Sequence, residues 1–392
     1  MKKILWIAGR LPTPLFSGDA LYSAGILTAL ASTQEVELTV IGARRDDRPV
    51  DGRLLGLPRT RFVDVAPSRR PGILSLLSLL PRDAYSLATG ERRRALVELL
   101  GHDWDWIVFD HANSAGLLPL VRNLRSKASI CYIAHNAEGK IRPEIAATFS
   151  HPVRRAVLRW DAEKYRRLEQ NLVKASDAIV CITEADAGYF AKYGKALFVI
   201  PPVYLGTIAP AEAIDSTRPK SILLLGSFDW IAKQRNLEHI IQVLLPGLKR
   251  CGIALDVVGN VPENIKDRYA GESSTLIFHG PVADLSGVFA RSRGGLVAEV
   301  LGGGFKLKLL DYAFARLPVF GLKMAVDGTT ADEQSAMFIA ENLDRLADTI
   351  VENIDDFAKL NRNQARLFEL TSERFGLKAG IDHVRGIFLH GN

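Results

Sequence analysis

Residues 302–319 read GGGFKLKLLDYAFARLPV, which predicts a glycine loop followed by a helix and then a strand. The glycines free the loop to adopt positive φ angles and let a ligand contact the backbone. Lys306 and Lys308 bring positive charge to the predicted first turn, where the helix dipole disfavours cations. A bound phosphate would relieve this conflict, because a helix N-terminus offers N–H groups to an anion. The apolar positions that predict the buried face of the helix are Phe305, Leu309, Leu310, Ala313 and Phe314.

The size and composition of the chain indicate a globular protein of two domains. Its 392 residues, 47% hydrophobic and 24% charged, are too many for one ordinary domain. No apolar run reaches the length of a membrane-spanning helix. The N-terminal run at residues 4–8 is soon interrupted by Arg10 and Pro12, so it predicts a buried strand and not a signal peptide. Three separated cysteines in apolar surroundings indicate buried free thiols in a reducing cytoplasm: Cys131, Cys181 and Cys251.

The charge is distributed unevenly along the chain. Residues 1–200 carry a net charge of +8, and the remaining residues carry −2. An ordinary solvated surface explains this as well as attraction to an anionic substrate or an anionic membrane does. We expect no nucleic-acid partner.

The first half alternates strands with helices, the longest of which is predicted from about Pro152 to Ala175. Near-continuous apolar runs predict parallel strands that are buried on both faces. The alternating order predicts a doubly wound sheet, which binds ligands at the carboxyl ends of its strands. The predicted strands are residues 4–8, 36–41, 61–65, 106–109, 130–134, 178–182 and 197–200.

A second α/β series follows a connection at residues 201–219, which holds four prolines and no periodic pattern. Its strands are predicted at residues 221–225, 254–258, 275–278, 294–298 and 318–320, with helices filling most of residues 341–389. The sequence therefore predicts two α/β halves with a cleft between them.

Several well-known motifs are absent or weak. Neither half has G-x-G-x-x-G after its first strand, and no Walker loop is present, which disfavours dinucleotide-dependent and P-loop enzymes. The Asp103-Trp104-Asp105 segment has the D-x-D pattern of some metal sites. It lies at the amino end of a predicted strand, however, where turn formation explains it better. The eight histidines show no metal-ligand spacing.

Polar residues follow one of the predicted strands at its carboxyl end. His135, Asn136 and Glu138 come directly after the strand at residues 130–134. This position suits a ligand cleft. Hydrogen bonds from His135 to the loop backbone remain an alternative explanation.

Two other pairs of residues are weaker candidates. Asp110 and His111 follow the strand at residues 106–109 in the same way. Gly18 and Asp19 open the first predicted helix, where backbone amides would meet phosphate or a sugar hydroxyl. Ordinary N-capping explains Gly18 and Asp19 almost as well.

Together, these segments resemble the family-4 type of GT-B glycosyltransferases over nearly the whole chain. Residues 16–20 (FSGDA) and 27–30 (LTAL) are similar to the family's N-terminal glycine loop and helix. Residues 135–138 (HNAE) resemble the H-N-V-E segment of one bacterial branch, and residues 226–230 (GSFDW) its G-S-m-D-W segment. Residues 302–319 are similar to that branch's G-G-G-t-r-l-K-i-L-E-A-m-A-a-G-l-P-V-V segment.

The resemblance implies a GT-B fold, with two Rossmann-like, doubly wound α/β domains facing across a cleft. An acceptor-binding domain is expected at residues 1–202 and a donor-binding domain at residues 203–373. A C-terminal helix within residues 374–392 would pack back on the first domain. The implied activity is sugar transfer from a nucleotide-diphosphate sugar, with retention at the anomeric carbon and without a metal or other cofactor.

The resemblance also implies roles by position. Lys308 would neutralise the diphosphate, Asp311 would accept bonds from the ribose hydroxyls, and His135 would contact the donor sugar near the reacting centre. The expected catalytic residues are His135 and Lys308. The expected donor-binding residues are Gly303, Gly304, Phe305, Lys306, Asp311, Lys233 and Arg235. The expected acceptor-binding residues are Gly18, Asp19, Asp110, His111, Asn136 and Glu138.

The sequence departs from the family at its acidic pair. Gly303 stands where the family has its first glutamate, and Asp311 replaces the second. Lys233 and Arg235 match the family's basic pair only approximately. Glu299 is a candidate substitute carboxylate, although a role at the end of a strand explains it better.

The main hypothesis is a bacterial, cytoplasmic transferase of the hexosyltransferase type that builds a polysaccharide, a lipid-linked glycan or a glycosylated metabolite. One alternative is a GT-B sugar-nucleotide epimerase. Another is a catalytically silent GT-B partner protein, which the missing glutamate keeps open.

Residues 69–80, RRPGILSLLSLL, join basic residues to an apolar run that is too short to span a bilayer. Such a segment would dip into an anionic inner-membrane surface or cover a lipid acceptor site. A buried helix or a dimer contact would have the same pattern.

Overall fold

The computed structural model describes residues 1–13, 15, 17–43, 50–66, 70–124, 127–229, 231–282, 284–300 and 305–390. The chain forms two compact units. Unit 1 comprises Met1–Val203 together with Leu377–Asn392, and unit 2 comprises Tyr204–Gly376.

Within the described part of unit 1, seven strands form one parallel sheet in the order β3-β2-β1-β4-β5-β6-β7. The strands are β1 (Lys2–Arg10), β2 (Val36–Ala43), β3 (Thr60–Val65), β4 (Trp106–Asp110), β5 (Ser129–Ala134), β6 (Ala178–Cys181) and β7 (Ala196–Val199). The central strands are buried on both faces, as their apolar runs require.

Helices connect the strands of unit 1. They are α1 (Gly18–Ser32), α2 (Gly52–Leu55), α3 (Arg82–Leu87), α4 (Gly90–Leu100), α5 (Leu118–Leu124), α6 (Glu138–Ala147), α7 (Pro152–Ala175) and α8 (Glu184–Phe190). Short 3₁₀ helices lie at Gly72–Leu77, Ala112–Leu117 and Ala191–Tyr193.

In the described part of unit 2, six parallel strands follow the order β10-β9-β8-β11-β12-β13. The strands are β8 (Ser221–Leu225), β9 (Ala254–Val258), β10 (Leu276–Gly280), β11 (Gly294–Val297), β12 (Val319–Leu322) and β13 (Phe338–Ala340). The helices are α9 (Ile231–Arg250), α10 (Glu263–Arg268), α11 (Ser286–Phe289), α12 (Lys308–Phe314), α13 (Ala331–Ser335), α14 (Leu343–Asn353) and α15 (Phe357–Phe375), with a 3₁₀ helix at Ala270–Glu272.

The last helix, α16 (Leu377–Phe388), belongs to unit 1 and packs on α1. Phe388 is buried, with its ring edge-on to Trp106 at a centroid distance of 5.4 Å. Arg385 forms an ion pair of 3.2 Å with Glu35, which follows α1. The chain therefore enters unit 2 after Val203 and returns to unit 1 after Gly376.

The predicted pair of doubly wound parallel sheets is confirmed. Three local predictions need correction. Cys251 is exposed, because it lies in the turn after α9, whereas Cys131 and Cys181 are buried free thiols. The strand β13 was not expected. Lys306 lies before α12 and not in its first turn, because this helix begins at Lys308.

Among the described helices, none combines the length and the hydropathy of a membrane span.

Candidate functional site

A pocket of about 250 Å³ opens in unit 1 at the carboxyl ends of β1, β4 and β5. This is the edge of a parallel sheet at which ligands bind. Its wall is strongly polar, because two histidines lie among three aspartates and two arginines. These residues are His111, His135, Asp19, Asp83, Asp110, Arg10 and Arg142.

His135 is held against Asp110 at this edge. Its Nε2 lies 2.6 Å from Asp110 Oδ1, and Ser23 Oγ is 3.4 Å away from the same nitrogen. The other oxygen of Asp110 accepts a hydrogen bond of 2.9 Å from Trp6 Nε1. Both His135 and Asp110 are buried, so the hydrogen bonds fix the orientation of the imidazole.

His111 forms a second polar pair beside the first. It follows β4 with a left-handed φ of 67°, which is uncommon for a non-glycine residue. The backbone N–H of Asn113 donates to its Nδ1 at 3.2 Å, so Nε2 carries the proton that faces Glu138 Oε1 at 3.2 Å. Arg142 donates to the other oxygen of Glu138 at 2.5 Å. Burial alone would raise the pKa of Glu138, but His111 and Arg142 outweigh it and lower the pKa to about 2.

Glu169 of α7 holds the loop that carries His135 in place through hydrogen bonds. This buried carboxylate accepts hydrogen bonds from the backbone N–H groups of Glu138 (3.0 Å) and Gly139 (2.9 Å), and from the hydroxyl of Tyr132 (3.1 Å). Burial raises the pKa of Glu169 to about 7 despite these donors. Glu169 thus caps the start of α6 and positions the loop.

Asn113 and Gly9 face each other in the wall of the pocket. A Cβ atom at residue 9 would lie 2.2 Å from Asn113 Oδ1, so a larger residue there would require the Asn113 side chain to move. That oxygen is buried and has no hydrogen-bond partner among the described residues. It is therefore available to a ligand in the pocket.

The predicted acceptor residues are partly brought together. Asp19, Asp110 and His111 line the pocket with His135. Gly18, Asn136 and Glu138 are not among its lining residues, although Gly18 begins α1 and Glu138 supports His111. Sequence analysis missed Glu169 and Asn113. Gly9, near the end of β1, was the available signal for Asn113, because a glycine within a strand often marks a position that another group approaches closely.

In unit 2, Glu299 and Lys308 form a partly buried ion pair. Glu299 follows β11, and Lys308 is the first residue of α12. Burial opposes ionisation of Glu299, yet the ammonium of Lys308 lowers the pKa of the carboxyl below its usual value. The second oxygen of Glu299 is buried and has no hydrogen-bond partner in the described ranges.

Lys306 and Lys233 lie near this ion pair. Burial lowers the pKa of Lys306; Glu299 opposes that shift, whereas Lys308 and Lys233 add to it. Asp327 also opposes the shift. Lys306 is therefore repelled by two other ammonium groups, and a bound anion would relieve that repulsion.

Asp311 lies three residues after Lys308 on α12. Burial raises the pKa of its carboxyl to about 6, although Lys308 acts in the opposite direction. No hydrogen bond or ion pair of this side chain occurs among the described residues. Asp311 is thus a partly buried carboxylate that can accept from a hydroxyl group.

The remaining predicted donor residues are Phe305, Arg235, Gly303 and Gly304. Phe305 packs on Phe375, with the ring centroids 5.1 Å apart, so its side chain joins the apolar core. Arg235 is exposed on α9. Gly303 and Gly304 lie outside the described residues. Since α12 has only seven residues, the lysine side chains supply most of the positive charge and its dipole adds little.

Within the described ranges, no group of three or more His, Cys, Asp or Glu side chains is arranged to hold a metal ion.

Residues 219–356 match the model of a family described as glycosyl transferases group 1. This match covers most of unit 2, including the lysine cluster. No curated protein sequence matches the chain.

Solved structures share the fold over nearly the full length at low sequence identity. Anabaena Alr3699/HepE in complex with UDP-glucose has a TM-score of 0.65 and 13% identity, covering 98% of this chain and 99% of that one. A mutant of S. aureus TarM, in complex with Fondaparinux, alpha-GlcNAc-glycerol and UDP, has a TM-score of 0.67 and 10% identity, with coverages of 99% and 100%. The lipopolysaccharide outer core galactosyltransferase WaaB, in its apo form, has a TM-score of 0.61 and 14% identity, with coverages of 98% and 98%.

These likenesses define the fold class as GT-B, the two-domain fold of many glycosyltransferases. Within this fold, residues 219–356 are the part that is similar to the group 1 glycosyl transferases.

Proposed function

We propose that the protein is a glycosyltransferase that moves a sugar from a nucleoside-diphosphate sugar to a glycan, a lipid-linked glycan or a small-molecule acceptor. The observation that carries this proposal is the partly buried cluster of Lys306, Lys308 and Glu299 within the residues that match the group 1 glycosyl transferases. A diphosphate gains negative charge as it leaves the sugar, and fixed positive groups stabilise that charge in the transition state.

Unit 2 would hold the donor. Lys308 and Lys306 would contact the diphosphate, and the Asp311 carboxylate would accept hydrogen bonds from the ribose hydroxyls. In this proposal the lysines do the electrostatic work that a metal ion does elsewhere, so transfer proceeds without added metal. HepE and TarM have been solved with UDP, which makes UDP-sugars the first donors to test.

Unit 1 would hold the acceptor in its polar pocket. A polyhydroxylated acceptor suits this wall, because carboxylates accept from hydroxyls and arginines donate to them. His135, oriented by Asp110, would contact the transferred sugar near the reacting centre.

We propose that the anomeric configuration is retained by attack on the face that the diphosphate leaves. The acceptor oxygen forms a bond to the anomeric carbon as the bond to the diphosphate oxygen breaks. The proton of the acceptor hydroxyl passes to the departing diphosphate. This path needs a well-placed acceptor and a neutralised leaving group, which are the tasks assigned to the two sites.

The test is release of UDP from a panel of UDP-sugars in the presence of EDTA. We expect slow release by the wild type and its loss in Lys308→Ala and in His135→Ala. Lys323→Ala is the matched control, because Lys323 is an exposed lysine of unit 2 that pairs only with exposed Glu341.

Other outcomes contradict the proposal in distinct ways. Isomerisation of the sugar without loss of UDP would identify an epimerase. Tight UDP-sugar binding with neither reaction would identify a catalytically silent binding protein. Release that requires a divalent metal would overturn the metal-free mechanism.

A further inference from the structure

One surface of unit 1 combines exposed apolar side chains with arginines. It comprises residues 70–82, which include the 3₁₀ helix Gly72–Leu77, and residues 151–160, which form the start of α7. We call it the leucine–arginine surface. None of these residues lines the pocket.

The apolar side chains of this surface are unusually exposed. Leu77 and Leu79 are 91% and 92% exposed, Ile73 is 73% exposed and Trp160 is 52% exposed. Val153 and Val157 are exposed as well, and their spacing places them on the same face of α7 as Trp160. Single exposed apolar residues are ordinary, but a group of this size marks an interaction site.

Two contacts join the segments into one surface. Lys164 Nζ donates to the carbonyl of Ser75 at 2.7 Å and lies 5.4 Å from the centre of the Trp160 ring. The backbone N–H of Arg82 donates to Asp161 Oδ1 at 2.8 Å. The leucines of the 3₁₀ segment are therefore held beside the exposed face of α7.

The charge of the surface has one sign. Its two segments contain five arginines and neither aspartate nor glutamate. An aspartate directly follows each segment, and both are engaged. Asp83 pairs with Arg142 and accepts from Tyr165, and Asp161 accepts from the backbone N–H of Arg82. The arginines are Arg70, Arg82, Arg154, Arg155 and Arg159.

We propose that the leucine–arginine surface docks unit 1 on an anionic lipid bilayer. Leucines on short exposed segments enter the boundary between headgroups and acyl chains, and tryptophan prefers the same depth. Arginines beside them attract anionic headgroups. Pairing with a second copy of the chain would place like charges against each other, so the charge pattern favours the bilayer over self-association.

Docking would bring the pocket to the membrane surface, because α3 belongs to both regions. Arg82 lies in the leucine–arginine surface, whereas Asp83, Ser86 and Leu87 of the same helix line the pocket. The acceptor would then be a glycan carried on a lipid. This consequence rests on the proposed function, whereas the docking itself does not.

The test is co-sedimentation of the full chain with phosphatidylcholine vesicles, with and without phosphatidylglycerol, at low salt. We expect binding only to the vesicles that contain phosphatidylglycerol, and weaker binding as salt is added. Leu77→Ser with Leu79→Ser should weaken binding at least about tenfold, because the transfer of two leucine side chains from water into the bilayer contributes strongly to partitioning. Arg154→Gln with Arg159→Gln should weaken it about fivefold per arginine.

Matched controls separate the surface from general effects. Leu55→Ser with Leu124→Ser removes two other exposed leucines of unit 1. Lys323→Gln with Arg345→Gln removes two exposed charges of unit 2. Both controls should bind as the wild type does, and every variant should keep its unfolding temperature, since the changed side chains are exposed.

Three results would overturn the docking proposal. The first is no binding of the wild type to anionic vesicles. The second is equal binding of the leucine variant and the wild type. The third is self-association of the wild type that the same leucine substitutions abolish, which would identify a second copy as the occupant. UDP release is measured without vesicles, so a chain that docks but releases no UDP would refute only the proposed function.

Discussion

Glu299 and Lys308 are paired in unit 2 through one carboxylate oxygen, while the other oxygen has no partner in the described part of the chain. The ion pair therefore stabilises the fold in addition to any role in ligand binding. Loss of Lys308 would remove the main positive partner of the partly buried Glu299 carboxylate. The two roles can be separated by experiment.

We expect Lys308→Ala to lower the free energy of unfolding by about 3 kcal/mol, because an unpaired buried charge is costly. Lys308→Met combined with Glu299→Gln removes both charges and should recover most of this stability, as measured by urea unfolding. The double variant should still release no UDP from UDP-sugars. Recovery of UDP release would show that the lysine is structural only.

His135 should depend on Asp110. Asp110→Asn replaces a carboxylate with an amide, whose single oxygen cannot serve both Trp6 and His135 as the two carboxylate oxygens do. We expect a loss of about 100-fold in UDP release, the size typical of a misplaced reacting group. Adding His135→Ala to Asp110→Asn should cost little more, because the two residues act as a unit.

Asp103→Asn and Asp105→Asn are the controls for this series. Asp105 accepts from the backbone of Lys3 at the amino end of the sheet, where the D-x-D pattern has a turn role. Neither control should change UDP release. A large loss in either would contradict that interpretation.

UDP binding should depend on the protonation of Asp311. Burial raises the pKa of this carboxyl to about 6, so the acceptor form is present above that value and disappears below it. We expect the affinity for UDP, measured by calorimetry, to fall about tenfold from about pH 7 to about pH 5 on this account. Asp311→Asn should lose that part of the pH dependence, whereas protonation of UDP itself affects both proteins equally.

Glu169 should make the protein less stable as the pH rises. Its folded pKa is raised to about 7 from 4.5, so the folded state binds the proton more tightly than the unfolded state. The contribution is fully present below about pH 4.5 and is lost as the pH rises through about 7, by up to about 3 kcal/mol. Glu169→Gln should flatten the curve of unfolding free energy against pH in this window. An unchanged slope would show that another group titrates there.

A side chain at residue 9 should displace the Asn113 side chain and cost stability. In Gly9→Ala the new methyl group would overlap the amide of Asn113, and overpacking of this kind costs about 1–3 kcal/mol. Asn113→Ala in the same chain should relieve the overlap and recover thermal stability. Gly90→Ala is the control, because a Cβ there contacts nothing within 4 Å.

Much of the fold could be predicted because its cause is local. Strands such as β1 and β5 are apolar on both faces, and each is followed by a helix, which only a covered parallel sheet accommodates. The three-residue strand β13 is too short to show any period. Cys251 was placed wrongly because its apolar neighbours belong to the end of α9, while the residue itself lies in the turn that follows.

The site was predictable only where it follows from strand order. His135 and Asp110 each stand at the end of a strand, and adjacent parallel strands bring such ends together. The contacts of Glu169 with the His135 loop span about 30 residues and depend on how α7 lies against the sheet. The pairing of Glu299 with Lys308 depends on the path of the chain between β11 and α12. No short pattern in the sequence encodes either contact.

The return of α16 to unit 1 has a consequence for synthesis on the ribosome. The chain is made from its N-terminus, so the seven strands of unit 1 and the whole of unit 2 are synthesised before α16. Until then the surfaces of α1 and Trp106 that α16 covers stay open to water. All residues of unit 2 are therefore made before those of α16, whereas unit 1, which begins first, is finished last.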